Sequence, residues 1–403
     1  MNTRANGNTN DLLALKDLMP QRQRRIAKAP ATALGTPPMK ELTGRLHPHR
    51  QYLKIDSIKN ETKTTKTFRL VPDMVKGTKR LAVFRAGQYL SVKADVNGVR
   101  ITRPYSISSC PKEARDDGFY EITIRKIPGG FLTAYVWENW KEGHTVEVSG
   151  PEGFFYYEAL RDARHVVGLA GGSGITPFRS MIKDIMENDL DMQLTLLYGT
   201  RFADDIIFGQ ELENFASRVP EKVSVHYICS EPDATWKGPT GFLTKECIQE
   251  FVGDVRDKSF FISGPPAMYL FLEKELEGFN LPKKRIRREA CGEVKDIETY
   301  TDFPKELSHK TFKIAVNMAE GAQEIPAKAA ETVLVAIERA GLTPPSKCRS
   351  GECGFCRSRL VSGEIYVRPQ DDGRRLADRQ FGYFHPCSSY PVSDLSIEVP
   401  RDL

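Results

Sequence analysis

The chain has 403 residues, of which 40% are hydrophobic and 28% charged, a balance that fits about two to three globular domains of roughly 150 residues each. Its net charge of +5 is mild and dispersed and does not mark a nucleic-acid binder. No apolar run approaches the roughly 18 residues of a membrane span and no apolar h-region marks a secretory signal. Cys110, Cys229, Cys247 and Cys291 are scattered without a disulfide framework, so a cytoplasmic, reducing setting is expected.

Residues 1–48 are polar and basic, punctuated by Pro20, Pro30, Pro37, Pro38 and Pro48. Leu12, Leu13, Leu15 and Leu18 are spaced for one short amphipathic turn. The segment reads as a poorly ordered tail, with an arm that wraps the body or docks a partner as the alternative. His47 and His49 flank a proline with no further ligand nearby and read as solvent-exposed. From about 50 to 155, six short runs rich in β-branched and aromatic residues alternate with Gly, Pro, Asp and Asn turns: Tyr52–Ile58, Thr65–Leu70, Gln88–Ala94, Tyr105–Ser108, Tyr120–Lys126 and Thr145–Val148. That spacing predicts a closed antiparallel barrel.

Two stretches of this unit carry chemistry. Arg103-Pro104-Tyr105-Ser106-Ile107-Ser108-Ser109 reads equally well as a strand with a polar face or as one wall of a flavin site. Such a site needs a ring against the isoalloxazine, hydroxyls near N5 and O4, and a cation over the phosphates. Ile124-Arg125-Lys126 is followed by Gly129, Gly130 and Thr133 at the start of a helical run to Trp140. Glycines and a hydroxyl at a helix start make an anion site, suited to a pyrophosphate with Arg103 in support.

The period changes after residue 160. A buried strand from Arg164 leads into Gly171-Gly172-Ser173-Gly174-Ile175-Thr176-Pro177, and helical runs then alternate with the strands Gln193–Tyr198, Val223–Ile228 and Ser259–Ile262. This predicts a parallel α/β sheet. Its strand ends, including Tyr198-Gly199-Thr200-Arg201 and Ser263-Gly264-Pro265-Pro266, fall on the edge where such sheets take dinucleotides.

Beyond a polar connector, Phe312, Ile314, Val316 and Met318 alternate as a strand, Glu331–Arg339 reads as a helix ended by Gly341, and strands are expected at Arg357–Leu360 and Leu395–Val399. Between them lie Cys348, Cys353 and Cys356, answered by Cys387. C-x4-C-x2-C followed by a distant fourth cysteine is the plant-type spacing for a [2Fe–2S] cluster. Gly351 and Gly354 allow the tight loop that three converging sulfurs require. A structural zinc site, which more often shows paired C-x-x-C motifs, and disulfides are the alternatives.

Together these motifs resemble the ferredoxin–NADP reductase superfamily, in its members with a C-terminal plant-type ferredoxin domain, over about residues 50–403. The family's Arg-x-Tyr-Ser signature falls on Arg103, Tyr105 and Ser106, its glycine turn on Gly129, Gly130 and Thr133, and its barrel-closing segment on Gly150, Pro151, Gly153 and Phe155. The resemblance implies an N-terminal extension (1–48), a six-stranded flavin-binding β-barrel (49–157), an α/β NAD(P)-binding domain (158–295), a linker (296–309) and a β-grasp ferredoxin domain (310–403). It further implies FAD held by Arg103, Pro104, Tyr105, Ser106, Ile124, Gly129, Gly130 and Thr133. The nucleotide would be held by Gly171, Gly172, Gly174, Thr176, Pro177, Arg201, Gly264 and Pro265, and the cluster by the four cysteines. Tyr105, Ser106 and Ser263 would stand at the reacting ends of flavin and nicotinamide.

Two departures stand out. Ser263 replaces the cysteine many relatives place at the nicotinamide–flavin contact, and Glu289-Ala290-Cys291-Gly292 replaces Glu-x-Phe-Gly. Asp204 and Asp205 after Arg201 would repel a 2′-phosphate, so NADH is expected over NADPH. The implied activity is hydride transfer from NADH to FAD, then single electrons to the cluster and on to an electron-accepting partner protein. That partner is an oxygenase or similar terminal enzyme, or alternatively an anaerobic acceptor such as a hybrid-cluster or corrinoid-type protein. A redox-sensing binding protein is the reading from another class. The ferredoxin unit mixes Arg349, Arg357, Arg359, Arg374 and Arg375 with Glu352, Glu364, Asp371 and Asp372 and so shows no one-signed docking face. Lys283–Arg288 reads as a solvated basic strand.

Overall fold

The computed structural model describes residues 20–29, 35–289, 292–294, 296–319, 321–369 and 372–401. The leucines at 12–18, Pro30, Ala290, Cys291 and Asp371 lie outside the described residues. Two compact units are present, Met1–Arg45 and Leu46–Leu403. In the first, residues 20–27 are helical and fully exposed, and helix α1 (Pro38–Leu46) buries no side chain. His47 and His49 are both exposed.

The second unit begins with an antiparallel six-stranded sheet of β1 (Gln51–Thr62), β2 (Thr65–Pro72), β3 (Tyr89–Val96), β4 (Val99–Ser106), β5 (Tyr120–Arg125) and β6 (Thr145–Glu152), in the order β4-β3-β6-β1-β2-β5. A bridge between Ile107 and Ile122 brings the two outer strands together and closes the barrel. Alternating inward residues, among them Leu53, Phe68, Leu90, Val92, Ile122 and Val148, fill it. Helix α2 (Phe131–Asn139) covers one side, followed by Trp140, which meets Phe68 edge-on at 5.2 Å. Strand β4 begins six residues earlier than the predicted Tyr105–Ser108. The reason is the Asn97-Gly98 turn, whose φ values of 52° and 79° fit the two-residue hairpin loops that asparagine–glycine favours.

The next sheet is wholly parallel: β7 (His165–Gly171), β8 (Gln193–Thr200), β9 (Val223–Cys229), β10 (Lys258–Ser263) and β11 (Ile286–Arg288), in the order β11-β10-β7-β8-β9. Both its faces are covered, as parallel strands require. Helices α3 (Thr176–Asn188) and α4 (Gly209–Arg218) pack Phe178, Ile182 and Leu212 on one side. Helices α5 (Lys245–Val252) and α6 (Pro266–Glu277) pack Ile248, Leu272 and Leu276 on the other. The chain runs outward from β7 to β9 and returns to β10 beside β7. The switch point of the sheet therefore opens between the carboxyl ends of β7 and β10, where doubly wound sheets bind their ligands.

The last sheet is mixed, with β12 (Thr311–Met318), β13 (Gly321–Lys328), β14 (Ser358–Ser362), β16 (Tyr383–Phe384) and β18 (Leu395–Glu398) in the order β13-β12-β18-β14-β16. A small pair, β15 (Ile365–Tyr366) with β17 (Tyr390–Pro391), lies beside it. Helix α7 (Val333–Arg339), capped by the Thr332 hydroxyl, sends Val333, Ala336 and Ile337 into the core. Short helix α8 (Leu376–Gln380) precedes β16. Strand β13 was not expected from the sequence: six of its eight residues are exposed and one is Pro326, so its apolar alternation is confined to Ile325 and Ala327 and it forms an edge.

Candidate active site

Strand β4 ends with Arg103, Pro104 and Tyr105 part-buried and Ser106 buried. Burial pushes the Tyr105 phenol up to about 12, against a smaller opposing pull from Arg103. Because successive side chains of a strand alternate, Ser106 points away from Tyr105, toward the parallel sheet. There its hydroxyl donates to Oε1 of Glu289, while the hydroxyl of Ser263, at the end of β10, donates to Oε2 of the same carboxylate. Glu289 is 8% exposed and Ser263 1%. One buried carboxylate thus spans the barrel and the nucleotide sheet, joining two of the three predicted catalytic residues; Tyr105 stands on the other face of its strand.

Glycines of the nucleotide turn are packed with no room for a side chain. A Cβ on Gly174 would meet the Ser263 carbonyl oxygen at 2.1 Å, and one on Gly171 would meet Met268 Sδ at 2.4 Å. Gly264 faces Gly171 across the same gap. The Tyr198 hydroxyl donates to the Gly172 carbonyl at 2.9 Å, and Thr176 Oγ1 donates to the Ser173 carbonyl at 3.0 Å. Pro177 lies in the first turn of α3. Gly264 and Pro265, at the end of β10, precede α6. The turn therefore presents backbone amides at a helix start, the arrangement that receives phosphate.

At the second anion turn, Gly129 has φ +67° and Gly130 caps α2. Thr133 Oγ1 accepts from the Ile127 amide at 3.2 Å. Ile124 is 1% exposed and its side chain belongs to the barrel core. Its neighbour Arg125, on the opposite face of β5, reaches Gly172 and pairs with Asp205 at 2.8 Å. Asp205 also accepts from Thr62 and Thr64, and Asp204 pairs with Lys63 at 2.9 Å. Both carboxylates expected to repel a 2′-phosphate are thus engaged by the barrel. Arg201 is exposed and pairs with Glu231 at 2.8 Å.

Barrel and nucleotide sheet are joined by Arg179, on the turn of α3 that follows Thr176 and Pro177. Its buried guanidinium donates to Glu211 at 2.9 and 2.8 Å, to Glu121 at 2.7 Å and to the Ser108 carbonyl at 2.8 Å. Ser180 donates to the Ser109 carbonyl at 2.6 Å. Burial alone would raise the Glu121 carboxyl, but Arg179, with Lys183 and Arg69, outweighs it and holds the group below its ordinary value.

The four motif cysteines converge. Backbone amides of Ser350 and Cys353 point at Cys348 Sγ at 3.5 and 3.4 Å, that of Gly351 at Cys387 Sγ at 3.3 Å, and that of Phe355 at Cys353 Sγ at 3.5 Å. Cys356 and Cys387 are in contact at 3.4 Å. Hydrogen bonds from the Cys353 and Cys387 thiols, then from Ser350, hold Cys348 well below the usual thiol range. Sulfurs supplied with amide donors on a loop bent by Gly351 and Gly354, both at positive φ, suit thiolates bound to an iron–sulfur cluster. Cys353 is exposed while the other three are buried.

A cavity of about 340 Å³ runs from Gly264 and Tyr269, past Glu289 and Glu293, to Ser350 and Cys387. A second, of about 470 Å³, lies between Tyr89, Phe155 and Arg288, again with Glu289 and Glu352 in its wall. A larger space of about 740 Å³ between the barrel and the last sheet, lined by Arg50, Arg100 and Leu342, contains none of the predicted site residues. The site is accordingly the Glu289 region. The sequence offered one signal for it, a glutamate just after β11, but nothing that paired it with two serines.

Comparison with known proteins agrees with this layout. Models of an oxidoreductase FAD-binding domain, an oxidoreductase NAD-binding domain and a 2Fe-2S iron-sulfur cluster binding domain match residues 52–157, 169–274 and 317–392. The chain is 28% identical over 368 residues to the glycine betaine monooxygenase reductase subunit of Pseudomonas aeruginosa, covering 87% of this chain and 95% of that one. It is 32% identical to NADH-cytochrome b5 reductase 1 of Scheffersomyces stipitis over 212 residues, 52% of this chain and 72% of that one. The fold is that of phthalate dioxygenase reductase, with a TM-score of 0.61 at 24% identity over 87% of this chain and 98% of that structure. The chain belongs to the ferredoxin–NADP reductase superfamily, among the members that carry electrons from NADH through FAD to a [2Fe–2S] domain of the same chain.

Proposed function

We propose that this chain is the cytoplasmic reductase component of a multicomponent oxygenase, delivering electrons from NADH to a terminal oxygenase protein. The observation that carries the reading is the 340 Å³ cavity with the nucleotide strand end Gly264 at one side and the cluster ligand Cys387 at the other. One continuous space joins the nucleotide edge to the cluster loop. The full-length relative that is a monooxygenase reductase subunit supports the choice of acceptor. Among the described residues no helix is long and apolar enough to cross a membrane.

When bound, FAD supplies the conversion between a two-electron hydride donor and a one-electron cluster. The chain's residues bind and orient. Arg103, with the α2 start at Gly129, Gly130 and Thr133, holds the flavin phosphates, and Pro104, Tyr105 and Ser106 line its ring. Gly171, Gly172, Gly174, Thr176 and Pro177 seat the dinucleotide pyrophosphate, Arg201 its exposed end, and Gly264 and Pro265 the nicotinamide side. Ser106 and Ser263 are fixed by Glu289, so the hydroxyl that replaces a cysteine is held to one orientation and water is kept from the contact. Cys348, Cys353, Cys356 and Cys387 hold the cluster, and the exposed Cys353 marks the side from which electrons leave.

Mixing the purified protein with an oxygenase subunit of the glycine betaine monooxygenase type tests this. NADH consumption should couple to hydroxylated product, and Cys353→Ser should abolish coupling while ferricyanide reduction persists. Ferricyanide turnover without product would move the acceptor to another protein class. No turnover with either acceptor would favour a sensor.

A further inference from the structure

Arg349, between Cys348 and Ser350, is the largest fully buried side chain among the described residues and has φ +59°, a conformation non-glycine residues seldom adopt. Two glutamates clamp it. Glu293 accepts from Nε and Nη2 at 3.0 and 2.6 Å, and Glu338, on α7, from Nη1 and Nη2 at 2.6 and 3.0 Å. The same two carboxylates face Arg103 on the barrel strand β4, but at 3.6 and 3.8 Å. The preceding residue in the loop is tied as well: the Gly292 amide donates to the Cys348 carbonyl at 3.0 Å. One residue further back, Lys347 pairs with Glu152 of β6 at 2.5 Å. Lys347 therefore ties the loop of the first cluster ligand to the barrel, while Cys348 and Arg349 tie it to the segment after β11 and to α7.

We propose that Arg349 is a positioning residue that seats the cluster loop on the flavin barrel through the Glu293–Glu338 clamp it shares with Arg103, coupling flavin-phosphate binding to cluster-domain docking. The proposal rests on the reading of Arg103 as a flavin-phosphate ligand. The two carboxylates hold Arg349 tightly, at 2.6 to 3.0 Å, and Arg103 loosely, at 3.6 and 3.8 Å. An anion at Arg103 takes over that loose cation and leaves both carboxylates to Arg349, so loading flavin tightens the loop. Coupling between sites is reciprocal. Removing Arg349 frees both carboxylates to close on Arg103, where they compete with a phosphate that Arg349 itself does not touch.

The test is FAD affinity of the full chain, measured by flavin fluorescence after deflavination, with cluster content followed by visible circular dichroism. Arg349→Gln should weaken FAD about tenfold, inside the range usual for coupled sites, and leave riboflavin, which has no phosphate, unaffected. Adding Glu293→Gln to Arg349→Gln removes the surplus carboxylate and should restore most of the FAD affinity without restoring docking, read as trypsin cleavage in the 296–309 connector. The double variant and Glu338→Gln alone, expected to expose the connector while retaining FAD, keep the test decisive where Arg349→Gln does not fold. FAD affinity unchanged in Arg349→Gln, with Arg103→Gln weakened, would overturn the coupling and leave Arg103 as the phosphate ligand. FAD affinity unchanged in Arg103→Gln would remove the phosphate reading and the coupling with it.

Discussion

Replacing Arg179 by methionine should separate the two halves of the hydride site. Its guanidinium makes four hydrogen bonds at 2.7 to 2.9 Å, two to Glu211 on the neighbouring helix and two across the boundary, to Glu121 and the Ser108 carbonyl, and lies over the Phe208 ring at 4.5 Å. Methionine fills much of the volume but leaves Glu211 without its cation and Glu121 with only Arg69, at 3.3 Å. Breaking a buried pair in this way costs about 3–5 kcal/mol. For a cooperative unit of the size of barrel plus nucleotide sheet, each kcal/mol lowers Tm by about 2–4 °C, so a drop of about 6–20 °C is expected. Arg179 sits one turn into the helix that begins with Thr176, while Ser108 follows the strand that presents Ser106. A shift between them displaces nicotinamide from flavin, and misplacements on the order of 1 Å can cost about a hundredfold in rate. Calorimetry and stopped-flow flavin reduction by NADH read the two effects. The triple variant Arg179→Met/Glu121→Leu/Glu211→Met should recover much of the stability, since a well-packed apolar replacement of a buried ionic set is often neutral or better. A Tm within 2 °C of wild type in the single variant, with an unchanged flavin-reduction rate, would refute the reasoning.

Ser263→Ala removes one of the two hydroxyls on Glu289. With a hydrogen bond to a charged group worth about 1.5–3 kcal/mol, flavin reduction should slow roughly 10- to 100-fold with little change in NADH affinity; an equal loss in both would show that Ser263 only binds. Gly174→Ala drives a Cβ to 2.1 Å from the Ser263 carbonyl oxygen, which must part the nucleotide turn from β10, so KM for NADH should rise at least about tenfold while cluster content holds. Acid stability follows from Glu121. Its folded-state pKa lies below the unfolded value of about 4.3, so its contribution is fully present above that value and is lost as pH falls through the depressed one. Urea midpoints of wild type and Glu121→Gln should differ by a constant amount from pH 7 to 5 and converge on acidification below about 4.

Much of the architecture is legible in the chain because apolar periodicity and punctuation carry it. The switch from short alternating runs to the buried strand before Gly171, and the cysteine spacing from Cys348 to Cys387, each follow from local rules. Strand β13 escapes them, since Gly321–Lys328 lies at an edge and most of its side chains meet water. The charged bridges escape for a different reason. Glu289, Glu293, Glu338 and Arg349 read locally as solvated surface residues, and only the tertiary fold buries them against one another. Alternation within β5 sends the Ile124 side chain into the core and gives Arg125 the outward position. The partners of Asp204 and Asp205 on the barrel, 141 residues upstream, likewise could not be read from the sequence around them.

Anaerobic titration of the purified holoprotein with NADH follows electrons from the nicotinamide through the flavin to the cluster. Absorbance follows the flavin and electron paramagnetic resonance follows the cluster. The predicted result is flavin bleaching accompanied by a rhombic [2Fe–2S] signal that is absent in Cys348→Ser, with NADPH far less effective. A fully reduced flavin beside a silent but intact cluster would contradict the account.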